Sequence, residues 1–518
     1  MQPFAGDTTM GGIFNTDKRI RLGIWGLGRG SNFIQAAKEL NIDVVAGCDF
    51  HEETWKNFLA CCPDAFVTCD ENEFLARDFD AVLIATFCPD HAMHAIKALQ
   101  AGKHVLSEVT AFFTPAQGVE LVEAVETTGK VYNLAENYPF SKENMYLAKL
   151  YREGFFGEMT YAEYEYVHGG ANPCVCYPNG QPLAPGNQLH HWRGWINYHY
   201  YCTHSLGPVM VITGLRPEKV VAFPEDVLNI GTVHGKGRKT DGILPNLGAF
   251  APSLIHMSNG GIVRNLMGGT TADSHNQRLF GTKAAAELYP RFNLKVGATG
   301  SAHTITIDAK WDALGELAAK AGHGGGDFWE LYYFARQILT GEKAPWDIYA
   351  AADVTLAGIQ ALRSAEAEGQ PMDIPDFRKK ALRDRYRHDH WQQEHIDPAR
   401  IFPEDQDLAI TGDFAPAFAN AFPLMRLIRA AFDAMKVYDY TIPEQRIQTI
   451  DLVKELRDKL PAIRIGFLRL KKIADAYPES MGGIAIREKF ALCEFDRVTD
   501  TETCKNDLNA WLLKCHAK

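Results

Sequence analysis

The sequence predicts an α/β protein that continues into a helical C-terminal region. Apolar, strand-like runs alternate with helix-like segments over residues 19–136, which is typical of a parallel sheet covered by helices on both faces. Alternating tyrosines in residues 159–170, and further strand-like runs up to residue 308, predict a second, open and mainly antiparallel sheet. A chain of 518 residues exceeds the usual size of one core, so we expect two or three domains.

The first predicted strand ends in a glycine-rich turn, RLGIWGLGRGS at residues 21–31. Gly26 allows a tight turn, and Gly28 allows the backbone to approach a pyrophosphate at the positive N-terminus of the following helix. Ser31 stands where the usual pattern has its third glycine. The turn therefore predicts a Rossmann domain whose cofactor-binding loop consists of Gly26, Leu27, Gly28, Arg29, Gly30 and Ser31.

The next apolar run, NIDVVAGCDF at residues 41–50, predicts a second buried strand that ends in Asp49. An acidic residue about 20 positions after the glycines is typical of dinucleotide-binding units. Its carboxylate accepts hydrogen bonds from both ribose hydroxyls and repels a 2′-phosphate, which favours NAD over NADP. The alternative is that Asp49 is an ordinary turn residue.

These patterns predict four segments. They are a flexible lead at 1–18, a Rossmann NAD-binding domain at 19–140, a substrate-binding α/β domain with the open sheet at 141–375, and a helical extension at 376–518. Residues 171–190, rich in Pro, Gly and Asn, are expected to form a loop over a site. In residues 446–460, apolar side chains recur at three- and four-residue steps and predict an amphipathic helix that Pro461 ends.

Composition excludes several classes of partner. The net charge of −11, without a dense Lys/Arg run, argues against nucleic acid, and no apolar stretch approaches the length of a membrane span. The N-terminus shows no signal-peptide pattern, so we expect a cytoplasmic protein whose eleven cysteines are reduced thiols. We expect a small-molecule substrate, and neither a membrane nor a nucleic-acid partner.

Three stretches resemble the glucose-fructose oxidoreductase and inositol dehydrogenase family, Gfo/Idh/MocA. They are GLGRGS at 26–31, ATFCPDHAMHAIKALQAGKHVLSEV at 85–109 and THSLGPV at 203–209. In most of that family a Glu-Lys-Pro triplet follows the AGKHVL run, and its lysine serves substrate binding and proton transfer. Here the triplet is Glu108-Val109-Thr110, and valine has no titratable group. The resemblance also implies that Thr86 belongs to the cofactor loops and that His91, in the turn after a strand, has a structural or cofactor-loop role.

Further stretches resemble one branch of that family, the NAD-dependent glycoside hydrolases of family 109, known as α-N-acetylgalactosaminidases. They are AENYPF at 135–140, EYVHGG at 165–170, YYCTHSLGPV at 200–209, GHGGGDF at 322–328 and DIYAAADV at 347–354. The resemblance implies that a sugar is oxidised at C3 by bound NAD, loses its C2 proton to a base, eliminates the C1 group, adds water and is reduced again. Two alternatives stay open: a sugar or polyol dehydrogenase that releases NADH, and a non-catalytic sugar sensor or scaffold.

The resemblance places His204 at a family active-site histidine, where imidazole accepts the proton of a sugar hydroxyl. Tyr166 and His168 alternate along a predicted strand and so face one side, where either is a candidate base for the C2 proton. Tyr201 and the glycine-rich stretch around His323 and Asp327 are candidate sugar-binding residues. The alternatives are a buried core histidine, tyrosine packing and a loop before a helix.

Glu108 and Glu136 each follow an apolar strand near the C-terminal edge of the predicted sheet, where nucleotide folds bind ligands. We expect Glu108 to contact the nicotinamide ribose and Glu136 the nicotinamide side of the pocket. Helix capping or solvation is the alternative for both carboxylates.

A metal site is not predicted, although histidines and cysteines cluster between residues 168 and 199. Their spacing fits no standard zinc pattern; they are His168, Cys174, Cys176, His190, His191 and His199. We expect a homo-oligomer that forms through the open sheet or the helical tail.

Overall fold

The computed structural model describes residues 13–168, 188–189, 196–224, 250–268, 274–297, 303–393 and 399–516. These residues fall into two compact units, the second of which comprises 188–189 and 399–516. Most of the predicted loop at 171–190 lies outside the described residues, as do residues 1–12 of the predicted lead. The same holds for Cys174, Cys176, His190 and His191.

The first sheet of the first unit consists of parallel strands. They are β1 (Ile20–Trp25), β2 (Ile42–Cys48), β3 (Phe66–Thr68), β4 (Ala81–Ile84), β5 (His104–Glu108) and β6 (Tyr132–Ala135). The strand order is β3-β2-β1-β4-β5-β6, with every pair parallel. This is the Rossmann order, which reverses between β1 and β4 and places ligands at the carboxyl edge there. The predicted Rossmann domain is confirmed.

Helices cover both faces of this sheet. They are α1 (Leu27–Gly30), α2 (Ile34–Glu39), α3 (Glu52–Cys61), α4 (Glu71–Leu75), α5 (His91–Gln100) and α6 (Pro115–Thr128), with 3₁₀ turns at Ser31–Phe33, Cys88–Asp90 and Tyr138–Phe140. The start of α6 shows how sequence fixes a boundary: Thr114 caps the helix, Pro115 occupies its first position, and Gln117 bonds back to complete a capping box.

The strands after residue 158 belong to other sheets. They are β7 (Met159–Val167), β8 (Gln188–Leu189), β9 (Pro217–Ala222), β10 (Phe250–Met257), β11 (Ile262–Gly268), β12 (Gln277–Gly281), β13 (Ala284–Glu287), β14 (Asn293–Val296), β15 (His303–Thr306), β16 (Met372–Asp373) and β17 (Ala399–Arg400). In the first unit the order is β15-β14-β13-β12-β7-β11-β10-β9-β16. Only the β7–β11 pair of this sheet is parallel among the described strands, which confirms the mainly antiparallel prediction.

One face of this second sheet packs on helices, and the other is open. The first unit's remaining helices are α7 (Lys142–Arg152), α8 (Thr203–Thr213), α9 (Ala313–Ala318), α10 (Gly326–Thr340), α11 (Ile348–Glu366) and α12 (Lys380–Arg383), with 3₁₀ turns at Tyr198–Tyr201, His323–Gly325 and Asp384–Tyr386. Burial alternates strictly along β10, where Ile255 is buried and Leu254 is exposed. This period of two is what a half-covered sheet requires.

The second unit is helical, apart from the short β8–β17 pair. Its described helices are α13 (Leu408–Thr411), α14 (Phe414–Val437), α15 (Pro443–Ala476), α16 (Met481–Leu492), α17 (Phe495–Thr499) and α18 (Thr501–His516), with a 3₁₀ turn at Tyr438–Tyr440. The prediction that Pro461 ends a helix is wrong, because α15 continues through it. Pro461 is exposed, so water can satisfy the freed carbonyl, and buried Leu460 and Ile463 on either side anchor the helix.

No described helix combines the length and the apolar character needed to cross a membrane. The cysteines of the described part of the chain are free thiols.

Candidate active site

The glycine loop lies at the carboxyl edge of β1, beside the end of β2. Gly26 has a φ of 94°, and a Cβ there would lie 2.4 Å from the Ala85 carbonyl oxygen. A Cβ on Gly28 would meet nothing within 4 Å, so the loop has open space above its second glycine. Asp49 Oδ2 accepts a hydrogen bond from the Leu27 N–H at 2.7 Å, which fixes the acidic residue against the loop. These features fit a dinucleotide.

The two glycines allow a matched test. Gly26→Ala is expected to destabilise the first unit by at least about 2 kcal/mol, because it combines a left-handed φ with a backbone clash. Gly28→Ala is expected to leave stability unchanged and to weaken NAD binding, because its methyl group enters the open space above the loop. Urea unfolding and calorimetric NAD titration measure the two effects. A Gly26→Ala protein as stable as the wild type, or a Gly28→Ala protein with normal affinity, would contradict this account.

His91 ties together the loops that follow β4 and β5. Its Nδ1 lies 3.1 Å from the Thr110 carbonyl oxygen and its Nε2 lies 3.2 Å from the Thr86 carbonyl oxygen. Burial lowers the pKa of His91 to about 4, although these hydrogen bonds oppose the shift. The Thr86 hydroxyl bonds to His94 Nδ1 at 2.8 Å. Thr86 and His91 thus hold the loops at this edge in place, and their contact with the cofactor stays a prediction.

Arg29 links the glycine loop to two carboxylates from distant parts of the chain. Its Nε donates to Glu108 Oε1 at 2.8 Å, and its two terminal nitrogens donate to both oxygens of Asp327 at 2.8 Å. His323 Nδ1 lies 2.8 Å from Asp327 Oδ1. The structure therefore brings four predicted site residues into one cluster, which we call the Arg29 cluster.

Burial raises the pKa of the carboxyl groups in this region, whereas pairing with Arg29 or His323 lowers it. Burial disfavours the ionised form of Asp327, but hydrogen bonds from Arg29 and His323 outweigh it and lower the pKa of Asp327 to about 2. Burial raises the pKa of Glu108 in spite of Arg29. Glu330, one turn after Asp327 on α10, is 3% exposed, and its oxygens have no hydrogen-bond partner among the described residues. Burial, with the neighbouring carboxylates of Asp327 and Glu108, raises its pKa well above the usual range, which favours the neutral form of this carboxyl group.

The second cluster is a hydrogen-bonded chain of Glu136, His204 and Tyr201, which we call the His204 chain. Glu136 Oε2 lies 2.7 Å from His204 Nδ1, and His204 Nε2 lies 3.1 Å from the Tyr201 hydroxyl. Glu136 Oε1 accepts from the Tyr138 N–H at 3.1 Å. A carboxylate only accepts, which assigns the proton of neutral His204 to Nδ1 and leaves Nε2 as an acceptor. Glu136, predicted at the nicotinamide side, thus orients the histidine.

Aromatic rings surround His204. Tyr138 stacks on its imidazole with 4.6 Å between ring centroids, and Tyr166 meets it edge-on at 4.7 Å. His168 is exposed and lies 5.7 Å from the Tyr166 ring, so the predicted pair does face one side. His275 completes the group at 5.4 Å from Tyr166. All the predicted catalytic residues therefore meet here.

Sequence reasoning did not identify Tyr138 and His275 as site residues. Tyr138 follows Glu136 by two positions within AENYPF, so its place after β6 was a usable signal. His275 has no such signal, because it precedes β12 in a stretch without periodicity. The two clusters are neighbours: Asn137 packs against Gly326, which begins α10 just before Asp327. Among the described residues, no three His, Cys, Asp or Glu side chains are grouped as metal ligands.

Two parts of the chain match known protein families. Residues 20–136 match a family described as oxidoreductase family, NAD-binding Rossmann fold. Residues 308–384 match the C-terminal domain of glycosyl hydrolase 109. The first match agrees with the strand order and the glycine loop, so NAD is the cofactor and the chain is an enzyme.

Curated relatives and solved structures agree with these matches. The chain is 27% identical over 417 residues to a glycosyl hydrolase family 109 protein of Akkermansia muciniphila, with 72% of this chain and 86% of the relative covered. A family 109 protein of Shewanella putrefaciens is 25% identical over 415 residues, covering 73% and 90%. Levoglucosan dehydrogenase, solved with NADH and L-sorbose, shares the fold with a TM-score of 0.57 and 19% identity, covering 70% of this chain and 100% of that one.

Proposed function

We propose that this chain is a member of the Gfo/Idh/MocA oxidoreductase family, in the branch of glycosyl hydrolase family 109, and that it is an NAD-dependent enzyme that cleaves a glycoside or amino-sugar glycoside. Cleavage proceeds through transient oxidation at C3, with NAD retained through the cycle. The observation that carries the proposal is the His204 chain, a buried and oriented base in the same unit as the NAD loop. This chemistry differs from the two-carboxylate mechanism of most glycosidases.

His204 handles the proton of the C3 hydroxyl. Bound NAD supplies the hydride acceptor for C3 and later the donor. His204 Nε2 is the only ring nitrogen open to take a proton, since Nδ1 is held by Glu136, and Tyr201 lies at hydrogen-bond distance from it. The Glu136 carboxylate stabilises the imidazolium that forms.

Tyr166 or His168 handles the proton at C2. Once C3 is a ketone, the C2–H bond is acidic, and one of these side chains accepts the proton. The electron pair left at C2 expels the C1 substituent, which takes a proton from water as it leaves. Water then adds at C1, the proton returns to C2, and the C3 ketone is reduced. His168 is exposed and Tyr166 is 6% exposed, so the two differ in access to solvent.

Two measurements test the proposal: aglycon release from synthetic glycosides, and deuterium incorporation at C2 in D2O. We expect the enzyme, with its own NAD and none added, to release aglycon from para-nitrophenyl glycosides without accumulation of NADH. In D2O the product is expected to carry deuterium at C2. Tyr166→Phe is expected to lower both rates by about 10²-fold if Tyr166 is the base, and His168→Gln if it is His168. Steady production of NADH from added NAD would indicate the dehydrogenase instead, and cleavage without C2 exchange would refute the elimination.

The remaining assignments of the proposal concern domains and assembly. We propose that residues 19–140 hold NAD, that 141–375 bind the sugar, and that 376–518 form an appendage. The open face of the second sheet carries cross-strand ion pairs, such as Arg278 with Glu163 and Lys295 with Glu287. A second copy of the chain is the proposed partner of that face, and we place the enzyme in the cytoplasm.

A further inference from the structure

A cavity of about 470 Å³ adjoins the His204 chain at Tyr138. Its walls come from the 3₁₀ turn and helix start around residues 137–143, from β12, and from the segments 288–292 and 307–309. We propose that this cavity is a subsite for a second, neutral sugar residue, the one attached to C1 of the reacting sugar. The inference rests on the proposed function and narrows its substrate to a disaccharide or longer glycoside.

The cavity shares walls with both clusters of the active site. Tyr138 lines it and also contacts His204 and Tyr166, with ring centroids 4.6 and 4.9 Å away. His323 lines it and also bonds to Asp327 of the Arg29 cluster. C1 is the carbon next to C2, whose proton Tyr166 or His168 takes. We place the substituent on C1 in this space because Tyr138 both lines the cavity and contacts the residues that handle the C2 and C3 protons.

Two buried amides suit the cavity to hydroxyl groups. Asn137 and Gln277 line it, each 5% exposed, and the side-chain oxygen of each has no hydrogen-bond partner among the described residues. A buried acceptor without a partner costs stability, and a sugar hydroxyl is a donor that can satisfy it. The cavity volume also falls within the range of about 300–1,000 Å³ that is usual for small-molecule pockets.

The charges of the lining disfavour an anionic ligand. Glu143 and Asp308 outnumber Arg291, so an anionic group would meet more repulsion than attraction, whereas a neutral sugar avoids that cost. Aromatic and apolar surface comes from Tyr289, which is 55% exposed at the rim, and from buried Phe292. Apolar walls with a few unpaired acceptors are typical of sites that bind one face of a sugar ring and its hydroxyls.

Kinetics on two matched substrates test the subsite. The substrates are a methyl glycoside and a disaccharide with the same reacting sugar, and chromatography measures the released sugar. Gln277→Leu and Tyr289→Ala are each expected to lower kcat/KM for the disaccharide by about 10-fold and to leave the methyl glycoside within about 2-fold. Tyr440→Ala, which removes a tyrosine that is 92% exposed in the second unit, is the control and is expected to change neither value.

The outcomes distinguish failure of the subsite from failure of the proposed glycoside cleavage. If a variant loses kcat/KM equally on both substrates, or loses none on the disaccharide, the subsite is refuted, but the proposed cleavage reaction is not. If neither substrate is cleaved, the proposed function fails, and calorimetry on the NAD-loaded enzyme then judges the cavity alone. Tighter binding of the disaccharide than of the monosaccharide, lost in Tyr289→Ala, would support the subsite, and equal binding would overturn it.

Discussion

Replacement of Glu136 by glutamine is expected to lower kcat by about 10²- to 10⁴-fold and to leave the affinity for NAD within about 2-fold. The Tyr138 N–H donates to Glu136 Oε1, so a glutamine would keep its oxygen there and turn its amide group toward His204. That amide donates, which forces the imidazole proton from Nδ1 to Nε2. The histidine then offers no acceptor to Tyr201 or to a sugar hydroxyl.

The control for this variant is Glu330→Gln, a second buried carboxyl group in the same unit. Burial favours the neutral form of the Glu330 carboxyl group, which an amide resembles, so we expect kcat to stay within about 2-fold. Steady-state kinetics on one glycoside and calorimetric NAD titration separate the roles. If Glu136→Gln keeps its kcat and loses NAD affinity, Glu136 belongs to the nicotinamide pocket that the sequence predicted. Equal losses in both variants would show a general disturbance of the core.

Acid is expected to destabilise the first unit well above the pH at which most carboxylates titrate. Burial lowers the pKa of His94 and of His199 to about 3 each, so both are neutral in the folded chain. In the unfolded chain they titrate near 6.5, so their contribution is fully present above that pH and is lost as pH falls toward 3. At about pH 5 each of the two histidines lowers the free energy of unfolding by about 2 kcal/mol. Together they lower it by about 4 kcal/mol, a large share of the stability of a typical domain.

Urea unfolding at about pH 7.5 and about pH 5 measures this loss. His199 Nδ1 is buried without a hydrogen-bond partner among the described residues. The free energy of unfolding is expected to differ less between the two pH values in His199→Asn than in the wild type, by about 2 kcal/mol. The same pH dependence in wild type and His199→Asn would contradict the assignment.

The glycine loop and both sheets could be predicted because each depends on local sequence. Gly26 and Asp49 lie at the carboxyl ends of adjacent strands, so a strand pattern alone places them at one edge. The partners within the site could not be predicted in the same way. Glu136 and His204 are 68 residues apart, and Arg29 and Asp327 are 298 apart, so only the packing of different elements brings them together. Pro461 failed as a helix stop because tertiary anchoring outweighed a local preference.

The long-range ion pair of Arg29 with Asp327 affects when the NAD-binding loop is complete during synthesis of the chain. Arg29 of the glycine loop, which we propose to bind NAD, pairs with Asp327, which is synthesised almost 300 residues later. A nascent chain that has completed only its N-terminal sheet would have the glycines and Glu108 in place, but not Asp327, which binds both terminal nitrogens of the Arg29 guanidinium. We therefore expect the N-terminal domain, expressed without residues after 140, to bind NAD more weakly than the whole chain does.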